Sequence, residues 1–197
     1  MTTIYFIRHG QPDLSIEDNL IRPLTSQGEK DINEVFLLLK NIPFDVFYAS
    51  NYYRSQQSIK PLSIYHNKDI IIEEDLKERI YGNRDIEINQ YFKKQWSDFN
   101  FKCQGGESLN DVKSRHINII NKILKKHPNQ TICIGYHGTA LSVIINYYDK
   151  NKSYDNFLYI KDKMPYVIKM EFEETKFIKM EEIYYKDRVY SNIEKLK

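Results

Sequence analysis

Two histidines follow apolar runs. Ile4-Tyr5-Phe6-Ile7 leads into Arg8-His9-Gly10, and Thr131-Ile132-Cys133-Ile134-Gly135-Tyr136 leads into His137-Gly138. The chain has only five histidines, and two of them share this local context. A short apolar run bounded by turn residues reads as a buried strand. A glycine directly after the histidine lets the backbone turn away sharply and lets a ligand approach it closely. Arg8 adds a fixed charge whose planar fork suits phosphate oxygens. Arg54, near the start of a predicted helix, adds a second guanidinium. Two imidazoles and two guanidiniums at strand ends point to an anionic ligand, and phosphate fits this set best.

Such a site needs a scaffold that brings strand ends together. Along the chain, apolar strands alternate with helical patterns. Ser26-x-x-Glu29 fits a capping box, followed by a helical stripe of Ile32, Val35, Phe36 and Leu39. Phe44 to Ala49 reads as a short strand, and Ser50 as the cap of a helix through Arg54 to about Lys60. Pro61 should end or kink that helix, because proline removes a hydrogen bond and clashes with the preceding turn. Ile70-Ile71-Ile72 is another strand. Ser108 is placed to cap a long helix carrying Leu109, Val112, Ile119, Ile120 and Ile123, and a further helix begins near Thr139. Tyr166–Phe172 and Phe177–Met180 form a late hairpin. The pattern predicts an α/β three-layer sandwich, a mostly parallel central sheet with helices on both faces. In such sheets ligands bind beyond the carboxyl ends of the strands, where both His-Gly pairs fall.

The 197 residues suit one domain, 1–197, with 83–107 as a small lid segment. A net charge of +2 is too near balance for a nucleic-acid footprint. No apolar run approaches the roughly 18 residues that would cross a bilayer, and no signal peptide is evident, so the expected location is cytoplasmic with no membrane partner. Cys133 lies inside an apolar run and reads as a small buried hydrophobe. Nothing in the sequence fixes an oligomeric state.

Five elements, in order from residue 4 to about residue 145, resemble the histidine phosphatase superfamily, the phosphoglycerate mutase-like proteins. These are Arg8-His9-Gly10; Leu24-Thr25-x-x-Gly28; Ala49-Ser50-x-x-x-Arg54-Ser55-x-Gln57-Ser58; Leu76-Lys77-Glu78-Arg79-Ile80-Tyr81-Gly82; and Gly105-Gly106-Glu107-Ser108 with Tyr136-His137-Gly138. The resemblance implies a phosphohistidine mechanism with His9 as nucleophile and Glu78 as proton donor. Arg8, Arg54 and His137 would stabilise charge on the transferring phosphoryl group. It also implies a small-molecule phosphate ester as partner, bound by Arg8, Gln11, Arg54, Glu107 and Gly138, with capping and bracing of the helix after Ser108 as the alternative role of Glu107. A neutral imidazole is a good nucleophile, and Arg8 and Arg54 beside His9 disfavour its protonation. With arginines supplying the electrostatics, neither a metal nor a cofactor is expected.

Departures from the mutases bear on the reaction. They follow Arg-His-Gly with Glu-Ser-x-Trp-Asn, where this chain has Gln11-Pro12-Asp13-Leu14-Ser15. Asn83-Arg84-Asp85 replaces their Trp-Glu-Gly, and the chain is shorter. These features favour hydrolysis over return of the phosphoryl group to a bound intermediate. Mutase-type transfer and a non-catalytic phosphate- or phosphoprotein-binding role are the alternatives. Several residues read as structural. His66, His116 and His127 are core or surface histidines, and Glu73, Glu74 and Asp75 form a solvated strand edge. Tyr91, Phe92, Trp96, Phe99 and Phe101 pack a short helix over the cleft rather than grip a ligand. Lys125 and Lys126 suit a helix C-terminus.

Overall fold

The computed structural model describes residues 1–188. Its elements follow in order: β1 (Thr2–Arg8), α1 (Ser26–Leu39), β2 (Val46–Ala49), α2 (Tyr53–Tyr65), β3 (Ile70–Ile72), a single 3-10 turn (Glu74–Leu76), α3 (Ile88–Ser97), α4 (Leu109–Lys126), β4 (Thr131–Tyr136), α5 (Gly138–Tyr148), α6 (Tyr154–Lys161), β5 (Lys163–Glu173) and β6 (Lys176–Asp187). The six strands form one sheet in the order β3-β2-β4-β1-β5-β6. Strands β1 to β4 run parallel, while β5 and β6 add an antiparallel edge.

The period of two along β1 divides the core. Tyr5 and Ile7 face α1 and α2, where Val35, Leu39, Ile59 and Leu62 meet them. Ile4 and Phe6 face α4, α5 and α6, against Ile119, Ile120, Leu141, Ile144 and Ile160. Each such side chain, fully buried, contributes roughly 1.5–3 kcal/mol of transfer free energy. Helix α3 lies apart, its Tyr91, Phe92 and Trp96 packed with Leu109, Val143 and Phe157. Among the described residues, no helix is long and apolar enough to cross a membrane.

Some local expectations shift. Thr25, not Ser26, caps α1, its side chain accepting from the Gly28 N–H. Pro61 lies inside α2 without ending it. Burial of Ile59 and Leu62 on the sheet outweighs a proline cost of about 3 kcal/mol. Ser50 does not cap α2, because its hydroxyl is used at the site described below. Ser108 does cap α4, in a capping box completed by Asp111. Helix α6 had no clear signal in the sequence.

Candidate active site

The sheet order makes β1 and β4 neighbours, with Arg8 paired to Tyr136 in register. The His9 N–H then donates to the Tyr136 carbonyl at 3.1 Å. The two histidine rings at the strand ends therefore stand 5.4 Å apart, centroid to centroid. Both are buried. His9 Nδ1 lies 2.8 Å from the Gly10 carbonyl. A carbonyl only accepts, so Nδ1 carries the proton and Nε2 keeps its lone pair. Burial, then the Arg54 and Arg8 guanidiniums, hold the His9 pKa well below the ordinary imidazole value.

His137 is oriented by a residue the sequence reading assigned elsewhere. Its Nε2 is 2.7 Å from Ser50 Oγ, which also contacts Ser55 Oγ at 2.9 Å and accepts from the Tyr52 N–H at 3.2 Å. Ser55 can donate to the Tyr52 carbonyl at 3.0 Å, which frees the Ser50 hydroxyl to donate to Nε2. That arrangement places the His137 proton on Nδ1, which has no hydrogen-bond partner and is buried. Burial, then Arg54 and His9, keep the pKa of this ring low as well.

The guanidiniums are fixed by backbone. Arg8 Nη1 donates to the carbonyls of Ile160, Lys161 (3.0 Å) and Lys163 (2.9 Å), at the junction of α6 and β5. Gly138 makes room for it: a Cβ there would stand 2.9 Å from Arg8 Cζ. Arg54, in the first turn of α2, donates from Nη1 to the Asn19 carbonyl at 2.8 Å and lies over the Tyr52 ring at 4.8 Å. The loop bearing Asn19 is itself braced by Arg22, which donates to the Ile16 and Glu17 carbonyls and to Asn19 Oδ1.

Glu78 follows the 3-10 turn and sits at the N-terminus of α5. Its Oε2 accepts from the Thr139 N–H at 2.8 Å, and its Oε1 from Ala140 at 3.0 Å and Arg79 at 2.8 Å. Backbone donors at a helix start suit a carboxyl group and fix its orientation.

These groups border a cavity of about 1350 Å³. Arg8, His9, Arg54, Glu78 and Gly138 line it; His137, whose ring stands 5.4 Å from that of His9, is not among the lining residues. Two other residues from the sequence reading do not. Gln11 turns toward α1, where the Thr25 hydroxyl donates to its Oε1 at 3.0 Å. Glu107 pairs with Arg115 at 2.8 Å and accepts from the Ile80 N–H at 3.0 Å. The far wall comes from residues 81–88 with Phe92 and Phe157. Tyr91 and Trp96 pack away from it in the aromatic cluster. Arg79 also lines the cavity and was missed, although it adjoins Glu78 in sequence. It is buried, with Nη1 donating to Gln95 Oε1 and the Tyr81 ring centroid 4.3 Å from Cζ. Its Nε and Nη2 are buried with no hydrogen-bond partner.

With this geometry in place, comparison with known proteins gives a consistent result. The model of the histidine phosphatase superfamily (branch 1) matches residues 4–182. The chain belongs to that superfamily. A relative described as the uncharacterized phosphatase PhoE of Bacillus subtilis (strain 168) is 24% identical over 149 residues, covering 74% of this chain and 76% of its own. Bacillus stearothermophilus YhfR superposes with a TM-score of 0.73 at 21% identity, covering 90% of this chain and 95% of that one. A phosphoserine phosphatase mutant from Entamoeba histolytica, solved with phosphoserine, gives 0.75 at 19% identity, covering 94% and 96%. The same phosphatase solved with 3-phosphoglyceric acid gives 0.73 at 19% identity, covering 96% and 98%. At these identities the solved structures establish the fold.

Proposed function

We propose that the protein is a metal-independent phosphomonoesterase that hydrolyses a small-molecule phosphate ester through a phosphohistidine at His9. The observation that carries this reading is the His9 ring. Its Nδ1 proton is committed to the Gly10 carbonyl, so its Nε2 lone pair is available in a cavity wall that includes Arg8 and Arg54. Nε2 attacks phosphorus, and the bond from phosphorus to the ester oxygen breaks. The electron pair goes to that oxygen, which takes a proton from Glu78. Water then attacks the phosphohistidine and gives its proton to Glu78. The P–N bond breaks, returning the lone pair to Nε2 and releasing orthophosphate. Arg8, Arg54 and the His137 Nδ1 proton stabilise the charge on the phosphoryl oxygens throughout, the role a metal plays elsewhere.

Arg79 refines the substrate class. A buried donor left unsatisfied costs about 1–3 kcal/mol, and more for a charged group. A leaving group carrying a carboxylate would meet the positive charge that Arg79 brings to the cavity wall. Phosphoserine and 3-phosphoglyceric acid, held by the Entamoeba histolytica phosphatase, are both of this kind. A panel of phosphomonoesters with and without a carboxylate on the leaving group, read as released orthophosphate, tests the proposal. Carboxylated esters should be hydrolysed fastest, and Arg79→Met should remove that advantage by roughly tenfold or more. Phosphate moved between positions without release would contradict hydrolysis.

A further inference from the structure

The backbone carrying Glu78 is held from α4 and the residues just before it by a set of partly buried bonds that the phosphoryl chemistry does not use. Lys77, the residue before Glu78, has its carbonyl 3.1 Å from His116 Nε2 and 3.0 Å from Arg115 Nη1. The same Arg115 Nη1 donates to the Asp75 carbonyl at 2.7 Å. Glu107 holds Arg115 through two bonds, Nε to Oε1 at 2.9 Å and Nη2 to Oε2 at 2.8 Å, and takes the Ile80 N–H. The backbone polar groups on both sides of Glu78 are thus committed to one cluster.

His116 connects this cluster to the strand that ends at His137. It is fully buried, and its tautomer follows from its partners. Arg115 Nη1, 3.1 Å from Nε2, has both hydrogens committed to the Asp75 and Lys77 carbonyls, and the Lys77 carbonyl only accepts; Nε2 therefore carries the proton, and the Nδ1 lone pair takes the Tyr136 hydroxyl proton. Tyr136 directly precedes His137. A chain of hydrogen bonds therefore runs from the end of β4 through His116 to the peptide of Lys77 and Glu78. A buried histidine serving only to fill space would need neither partner in sequence contact with the active site.

We propose that His116 and Arg115 are positioning residues for Glu78: they set where its carboxyl stands relative to the group it protonates. The inference rests on the reading of Glu78 as proton donor. Displacement of an acid by about 1 Å can cost up to 10²-fold in rate. Its effect should depend on how much the leaving oxygen needs a proton, since a nitrophenolate leaves as the anion and an alkoxide does not.

Two variants of His116 separate positioning from packing. A glutamine amide nitrogen reaches about as far as Nε2 and can still donate to the Lys77 carbonyl, whereas asparagine reaches only to Nδ1. Phosphoenzyme formation would be measured by rapid quench with an aryl and an alkyl phosphate. His116→Asn should lose roughly tenfold or more with the alkyl substrate relative to the aryl one, and His116→Gln should restore most of it. Arg115→Met, on the partly exposed end of the cluster, should shift the same ratio and serves if the His116 variants do not fold. Equal losses with both substrates, or no change in the ratio for a folded variant, would overturn the positioning role. Glu78→Gln is the control: if it too leaves the ratio unchanged, the fault lies with Glu78 as acid.

Discussion

Gly138→Ala tests whether Arg8 is held as described. A methyl group at Gly138 would stand 2.9 Å from Arg8 Cζ and Nε, and 3.0 Å from Nη2. Ordinary contact between such atoms is about 3.5–4.0 Å, so the guanidinium or the start of α5 must retreat by roughly 0.6–1.1 Å. The guanidinium has little freedom to move, because Nη1 is bound among the carbonyls of Ile160, Lys161 and Lys163. Misplacement of this size costs up to about 10²-fold in rate, close to 2.7 kcal/mol of transition-state stabilisation. Stability should suffer less. Overpacking costs about 1–3 kcal/mol, and alanine returns up to about 1 kcal/mol over glycine in a helix. The expected result is a roughly 30- to 100-fold fall in kcat/KM for aryl and alkyl phosphates alike. Inhibition by inorganic phosphate should weaken in parallel, and urea denaturation should show a loss of no more than about 2 kcal/mol. A folded variant with unchanged kcat/KM and unchanged phosphate inhibition would refute the placement of Arg8.

Glu78→Gln should cost little in phosphoenzyme formation from a nitrophenyl phosphate and roughly a hundredfold with an alkyl phosphate; equal losses would remove Glu78 as donor. Ser50→Ala should reduce kcat by roughly tenfold, since one charge-assisted or tautomer-setting hydrogen bond is worth about 1.4 kcal/mol, and an unaltered rate would show that His137 is oriented without it. His9, His116 and His137 are all buried with lowered pKa values. Below about pH 6.5 the unfolded chain therefore binds protons that the native state refuses, and stability falls as pH falls, by up to about 1.4 kcal/mol per pH unit for each ring. Urea midpoints at pH 7.5 and 5.5 measure this, and His116→Asn should flatten the dependence. The low His9 pKa also means that phosphoenzyme formation should not lose its nucleophile until well below pH 6.5.

Much of the site was legible because it lies at strand ends. Apolar runs that stop at His9 and His137 mark both the strand and its carboxyl end, and the α/β pattern says where ligands bind. Arg54 and Glu78 were legible through their register with family motifs. What the sequence hid depends on contacts between distant residues. Ser50 looks like a helix cap by its position, yet its hydroxyl meets a histidine 87 residues away. Glu107 reads either as a ligand contact or as a brace for the helix after Ser108, and only the fold shows its partners to be Arg115 and the Ile80 N–H. Gln11 follows the signature tripeptide, but the close approach of Gly28 to its backbone turns its side chain toward Thr25. Arg79 carries no local signal beyond its neighbour, since its burial is created by α3 folding over it. Pro61 misleads for the same reason: local propensity predicts a break, and packing of the helix on the sheet overrides it.

The central claim is a covalent phosphoryl group on His9, and trapping that intermediate tests it most directly. The protein would be mixed with a phosphate ester labelled in the phosphoryl group, quenched in denaturant within milliseconds, and examined for label on the protein by peptide mapping. The account predicts a base-stable, acid-labile label on the peptide containing His9, absent in His9→Ala and formed no more slowly than turnover. Orthophosphate released by wild-type protein with no such label at any quench time would contradict it, and would assign the hydrolysis to direct attack by water.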